Sequence, residues 1–290
     1  MAQVNDNYPK SNNTELTDAQ LKDLALTNLA RQEVKASNFP TEIISLPSKG
    51  LVYPEGNPLR EGTIEMKYMT AREEDILTSQ NLIKQGIVLD KLMQSMIVSP
   101  VRYEDLVIGD KNAIMVAARI LGYGKDYPIV VTCPKCGAEN KVTVDLTQLP
   151  EYNIPDYAVQ TSPGIFEFTL PQTKRVIEFR LLTIGDDKKI SKDIEASKKA
   201  NKNNQSVDRE LTTRLKNIIV SVDGNADRRA VVDFVDNELF AMDSRALRTY
   251  MKEISPDLKF EVSYFNCTEC DHEEEAMGFS IDSSFFWPQS

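Results

Sequence analysis

The chain has 290 residues, 41% of them hydrophobic and 27% charged, which is enough to bury a core in one large or two ordinary domains. A formal net charge of -10 opposes non-specific attraction to nucleic acid and to anionic membranes, while leaving room for a local basic patch. No stretch reaches the ~20 apolar residues that span a bilayer, and the polar start, Met1 to Asn13, lacks the apolar core of a signal peptide; a reducing cytoplasm is expected, where disulfides rarely persist.

Residues 1–13 are rich in Asn, nearly free of apolar side chains, and read as a flexible tail. Over 14–38 the pattern becomes helical. Thr17 with Gln20 three residues on makes a capping box, and Leu21, Leu24, Ala25 and Leu29 recur at helical spacing. Such a helix packs on its own domain or on a partner. Residues 39–62 are punctuated by Pro40, Pro47, Pro54 and Pro58 and by Gly50, Gly56 and Gly62, which exclude a continuous helix. Yet Ile43, Ile44, Leu46, Leu51, Val52, Tyr53 and Leu59 make the segment too apolar for a linker. It reads as an extended arm lying on a core or on another subunit, with a long surface loop as the plainer alternative. Leu46, Leu51 and Tyr53 are its candidates for partner contact.

Residues 63–125 read as a helical domain. Thr63–Met69 alternates as a strand, and Thr70 with Glu73 caps a helix over 71–84. Helices near 88–97 and 110–122 follow, the second starting from an Asp110 cap and stopping at Gly122 or Gly124. The Met-rich run LDKLMQSMIV (89–98) is core or a partner surface. In the region 147–257, strands at 164–170 and 174–182 form a hairpin, followed by helices near 184–200, 207–221 and 228–254, the last broken around Ala241–Asp243. The lysines of KKANKNNQ (198–205) fit a solvated loop better than a phosphate site. The aromatic tail 283–290 carries Phe285, Phe286 and Trp287, which tie to another subunit or fold back on their own core.

The four cysteines stand in matching surroundings, PIVVT-CPKC-GAEN-KVTVDL (128–146) and FEVSYFN-CTEC-DHEEE-AMGFSI (260–281). Each has an alternating strand, a C-x-x-C, a polar turn and a second alternating strand. Two such hairpins, 126–146 and 258–282, would bring Cys133, Cys136, Cys267 and Cys270 to one tetrahedral structural Zn2+. Gly137 and Asp271 occupy the position where the turn favours an unusual backbone angle. The 130 residues between Cys136 and Cys267 would then be an insertion between two halves of one zinc ribbon. A redox C-x-x-C usually opens a helix, and neither pair is followed by one. Catalytic zinc needs an open position that four cysteines would fill. His272, the single histidine, could replace one thiol, and unmetallated burial of the thiols is a further reading.

No nucleophile–base constellation can form away from His272, and GYGKDY (122–127) lacks the spacing of a phosphate loop. The carboxylates of 271–275 read as a solvated face. Nothing positive points to an enzyme or to a small-molecule substrate.

Three strings carry a resemblance: SLPSKGLVYPEGNPLREGTIEMKYMTAREEDIL (45–77), LVIGDKNAIMVAARILGYGKDYPIVVTCPKCG (106–137) with VDLTQLP after it, and FFWP (285–288). They resemble the T4-type bacteriophage baseplate protein family, closely over about 41–150 and more loosely at the second cysteine pair and the C-terminus. The resemblance implies a structural or assembly component of a contractile tail, in the central hub region, that binds other baseplate or tail proteins. It implies a host-cytoplasmic location during assembly and the virion tail baseplate if the chain is retained, and it carries over no catalytic residue. The expected fold is α+β: a mostly helical N-terminal part, a two-hairpin zinc ribbon with four cysteine ligands, and an inserted β-hairpin plus helices. The rival function is a zinc-ribbon nucleic-acid or transcription accessory protein, which the acidic second hairpin disfavours; neither nucleic acid nor membrane is expected as a partner.

Overall fold

The Pro- and Gly-punctuated segment turns out to be a set of turns. In the computed structural model, which describes residues 40–200, 209–281 and 285–287, β1 (Thr41–Ser45) and β2 (Thr63–Lys67) pair antiparallel with Ile44 opposite Ile64. The tail and helix expected over 1–38 lie outside the described residues. Between the two strands the backbone folds on itself. The Arg60 guanidinium donates to the carbonyls of Gly50, Leu51 and Tyr53, and Leu46, Val52, Tyr53 and Leu59 are buried. The prolines and glycines therefore make a compact crossover that buries Leu46, Val52, Tyr53 and Leu59 in the chain's own core and leaves Ile43 and Leu51 on the surface.

Helices α1 (Ala71–Thr78), α2 (Gln80–Lys84), α3 (Val88–Met96) and α4 (Ile108–Tyr123) follow. In α1 the Glu73 carboxylate reaches back to the Thr70 N–H at 3.0 Å, the reciprocal half of a capping box. The Met-rich run is core: Leu92, Met93 and Met96 are fully buried. Asp110 does not cap α4, which begins two residues earlier. Its buried carboxylate instead accepts from the Ser48 N–H (3.0 Å), the Ser48 hydroxyl (2.7 Å) and the Tyr53 hydroxyl (2.5 Å), fastening the crossover to the helix. Burial raises the Asp110 pKa and these donors oppose it. On another face of α4, a Cβ at Gly109 would lie 1.7 Å from the Pro256 carbonyl oxygen, so the backbone approach there requires glycine.

The middle region holds a four-stranded antiparallel sheet in the order β6-β7-β8-β9, from β6 (Gln160–Ser162), β7 (Ile165–Thr169), β8 (Val176–Arg180) and β9 (Ile219–Val222). The helix expected over 207–221 stops at Ile218, and its β-branched end pairs with β8 as β9. Around the sheet lie α5 (Ile184–Ala200), α6 (Glu210–Ile218), α7 (Arg228–Asp233), a π-helical turn (Phe234–Glu238) and α8 (Ala241–Ile254). The expected break falls at Leu239–Phe240, just before α8. Asp243, in the first turn of α8, accepts from the amides of Gln172 (2.7 Å) and Thr173 (3.1 Å) and so holds the β7–β8 turn.

One continuous cluster of buried side chains runs from Leu46 through Ile114, Phe179 and Leu247 to Phe286. The region expected as an insertion thus shares its core with the helices before it. Two short strands, β5 (Glu151–Tyr152) and β10 (Asp257–Leu258), pair with each other. Among the described residues no helix is long and apolar enough to cross a membrane. The architecture is mixed α and β with small antiparallel sheets.

Candidate metal centre

Each cysteine pair sits at the tip of a hairpin of alternating strands. The first is β3 (Asp126–Thr132) with β4 (Glu139–Asp145), and the second is β11 (Glu261–Asn266) with β12 (Glu273–Gly278). The two tips are built alike. The Cys133 N–H donates to the Ala138 carbonyl (2.9 Å) and the Gly137 N–H to the Cys133 carbonyl (2.9 Å). In the second tip Cys267 donates to the His272 carbonyl (2.9 Å) and Asp271 to the Cys267 carbonyl (3.1 Å). Gly137 (φ 76°) and Asp271 (φ 50°) both take the left-handed conformation this turn demands, as their residue types foretell.

The hairpins bring all four sulfurs together across the 130 residues that separate the pairs. The Sγ atoms of Cys133, Cys136, Cys267 and Cys270 lie within 4.8 Å of one another, with Cys133–Cys270 at 3.8 Å and Cys136–Cys267 at 3.6 Å. Four sulfurs at ~2.3 Å from a central zinc would stand about 3.8 Å apart along each tetrahedral edge. The donor set and its spacing are compatible with such an ion. His272 is not part of the group; its Nε2 faces Glu274 Oε2 at 3.6 Å.

Electrostatics inside the cluster favour one thiolate and resist the next. Burial works to raise the Cys267 pKa, but the amides of Glu269 and Cys270, with Cys136 and Asn140, outweigh it and bring the thiol down to about 6. Cys270 is pushed up to about 12 by burial and by its neighbour Cys136. Four thiols this close can all ionise only around a cation.

Behind the sulfurs, Val131 and Phe265 are buried with Cys133 and Cys267 in a small cluster of their own, separate from the main core. One residue there escaped the sequence reading. Asn140 is 4% exposed, its Nδ2 donates to Cys267 Sγ (3.6 Å), and its Oδ1 accepts from the Thr268 N–H (2.9 Å) and hydroxyl (3.0 Å). It clasps the first hairpin to the second. Its one sequence signal is a polar residue on the inward face of β4, where Val142 and Val144 follow at every second position.

The candidate contact residues fall in different places. Leu46 and Tyr53 are buried in the main core, as are Phe285 and Phe286; Phe285 meets Tyr127 edge-on with ring centroids 5.0 Å apart. Trp287 is half-buried and its Nε1 donates to the Leu77 carbonyl at 3.1 Å. Among the described residues of the tail, the fold-back reading is therefore the one observed. Leu51, 47% exposed, is the candidate left on the surface.

A family model described as T4 bacteriophage base plate protein matches residues 43–287, a span that includes both cysteine pairs and Phe285 to Trp287. No curated protein and no solved structure matches the chain.

Proposed function

Because the chain belongs to the T4 bacteriophage base plate protein family, we propose that it is a structural or assembly component of the central hub region of a contractile tail, with its fold braced by one zinc ion on Cys133, Cys136, Cys267 and Cys270. The family match over 43–287 carries the baseplate role and, with it, contacts to other baseplate or tail proteins. The zinc reading rests on the four converging sulfurs. With four thiolates as ligands the ion has no open position for substrate or water, so its work is to fix the two hairpins and not to catalyse.

The chain is made in the host cytoplasm and acts there during assembly; if retained, it resides in the virion tail baseplate. Mass spectrometry of purified tails tests this directly. Stoichiometric presence supports a resident subunit, presence only in assembly intermediates supports an assembly factor, and absence from both overturns the baseplate reading. Metal analysis of the purified chain should find one zinc per chain; iron in its place would keep the site and change the ion. A nucleic-acid role is disfavoured by the exposed Glu269, Asp271, Glu273 and Glu275 of the second hairpin, and salt-dependent DNA binding at physiological ionic strength would revive it.

A further inference from the structure

One strand of the body is left with an open edge beside an apolar groove. β1 pairs with β2 along its whole length, and among the described residues no strand lies on its other side. No bulge interrupts it, and no lysine or proline stands within it; of the usual guards of an exposed edge it carries a charge at Glu42 alone. Ile43 within it is 74% exposed, far out in water for an apolar side chain. The β1–β2 and β5–β10 sheets both pack on α4, and between them lies a groove of about 360 Å³. Its floor is Ala113 and Ala117 of α4, its walls are Ile44 and Leu149, and the exposed carboxylates of Glu42 and Glu151 stand at its mouth. No basic residue lines it.

We propose that this groove takes an extended segment of another baseplate or tail protein, added as a strand to the free edge of β1. The segment sets an aliphatic side chain between Ile44 and Leu149 and places Lys or Arg against Glu42 and Glu151. Strand addition supplies the backbone pairing, the groove supplies side-chain selection, and the two carboxylates select for positive charge. The groove volume, at the lower end of ordinary binding pockets, suits one or two anchor side chains and not a whole helix. The inference rests on the baseplate reading, since it names the surface that such a role would use.

The test is hydrogen exchange on the full-length chain, free and after assembly with its co-expressed tail proteins. Amides of 41–45 are expected to slow at least tenfold on assembly. The exposed double variant Glu42→Lys/Glu151→Lys should assemble at least tenfold less well while keeping the wild-type melting temperature, and Ile43→Asp should act in the same direction. Equal exchange of 41–45 in the free and assembled chain overturns the proposal. So does protection already present in the free chain that disappears when residues 1–39 are removed, which would make the occupant the chain's own leading segment. Protection that grows with the concentration of the free chain would make it a second copy, and also overturns it. A chain that enters no tail assembly at all defeats the baseplate role itself; one that enters with β1 unprotected defeats only this inference.

Discussion

The main body and the paired hairpins are stabilised by different physics. The body buries one continuous cluster, with Phe166, Phe179, Phe234 and Leu247 essentially sealed from water. At their tips the hairpins bury a small cluster, Val131 and Phe265 beside Cys133 and Cys267, while Tyr127 at the base of the first joins the body's core. Together, Asp126–Asp145 and Glu261–Gly278 amount to the size at which apolar burial alone no longer suffices, below about 40 residues, and at which metals or crosslinks usually complete the fold. The body closes by filling volume; on the proposed zinc reading, the hairpins close by satisfying valence. The same chain therefore contains one region that should tolerate metal removal and one that should not.

The sharpest way to break that contrast is to remove ligands. Cys267→Ser/Cys270→Ser should take zinc content from one per chain to none and raise amide exchange in both hairpins at least a hundredfold. The gain expected from a structural zinc, an apparent ~10–16 kcal/mol in small zinc domains, is lost from that region. Exchange in α3 and α4 should change little. If the body melts together with the hairpins, the two regions are one cooperative unit and the contrast fails. The reciprocal experiment is Phe179→Ala. It should cost about 3–5 kcal/mol of body stability by denaturant titration, while one zinc per chain is still retained at temperatures where the body stays folded.

A pH titration separates the regions by another route. Glu73 is buried in the body; burial opposes its charge, yet Lys67, Ser95 and Thr70 together outweigh this and hold its pKa at about 2 against an ordinary 4.5. A depressed folded pKa means that its stabilisation is complete above the unfolded value and is lost as pH falls from about 4.5 towards 2, in total on the order of 3 kcal/mol. Glu73→Gln should flatten that part of the body's acid unfolding curve. Zinc release, in contrast, follows protonation of thiolates. Metal loss that tracks the Glu73 transition in wild type and moves with it in the variant would show that the hairpins depend on the body's packing.

What could be read from the residues divides along the same line. The thiols were legible because their chemistry is written in spacing: two C-x-x-C turns, each with a residue that accepts a left-handed backbone, and alternating strands on both sides. The β7–β8 hairpin was legible from its period, the start of α1 from its capping box, and α4 from its period and its stop at Gly124. The Asp110 start of α4 and an unbroken helix over 71–84 were not what the fold makes. The segment 39–62 was not legible, because Pro and Gly announce turns without saying what the turns enclose; that the crossover folds inward depends on partners far along the chain, such as the Asp110 carboxylate 57 residues from Tyr53. Ile219–Val222 continued a helical pattern until the neighbouring β8 recruited it, a tertiary preference that propensity alone cannot carry. Phe285 and Phe286 were balanced between core and interface for the same reason, since aromatic side chains suit both.

Asn140 offers the smallest and most specific perturbation, because it belongs to the hairpins without being a ligand. Asn140→Ala removes the N–H donated to Cys267 and leaves the Thr268 amide without its acceptor in a partly buried position. Loss of such bonds costs about 1–2 kcal/mol, and loss of a group that orients a metal ligand typically weakens metal binding by 10–100-fold. In a competition with a zinc chelator, Asn140→Ala should release zinc at a correspondingly lower chelator concentration, with the body's denaturation midpoint unchanged. Thr268→Val keeps the amide bond to Oδ1 and loses only the hydroxyl, so its effect should be several-fold smaller. If Asn140→Ala leaves zinc affinity intact, the two tips are positioned by the sulfurs and the Val131–Phe265 contact alone. The clasp would then be a consequence of metal binding and not one of its causes.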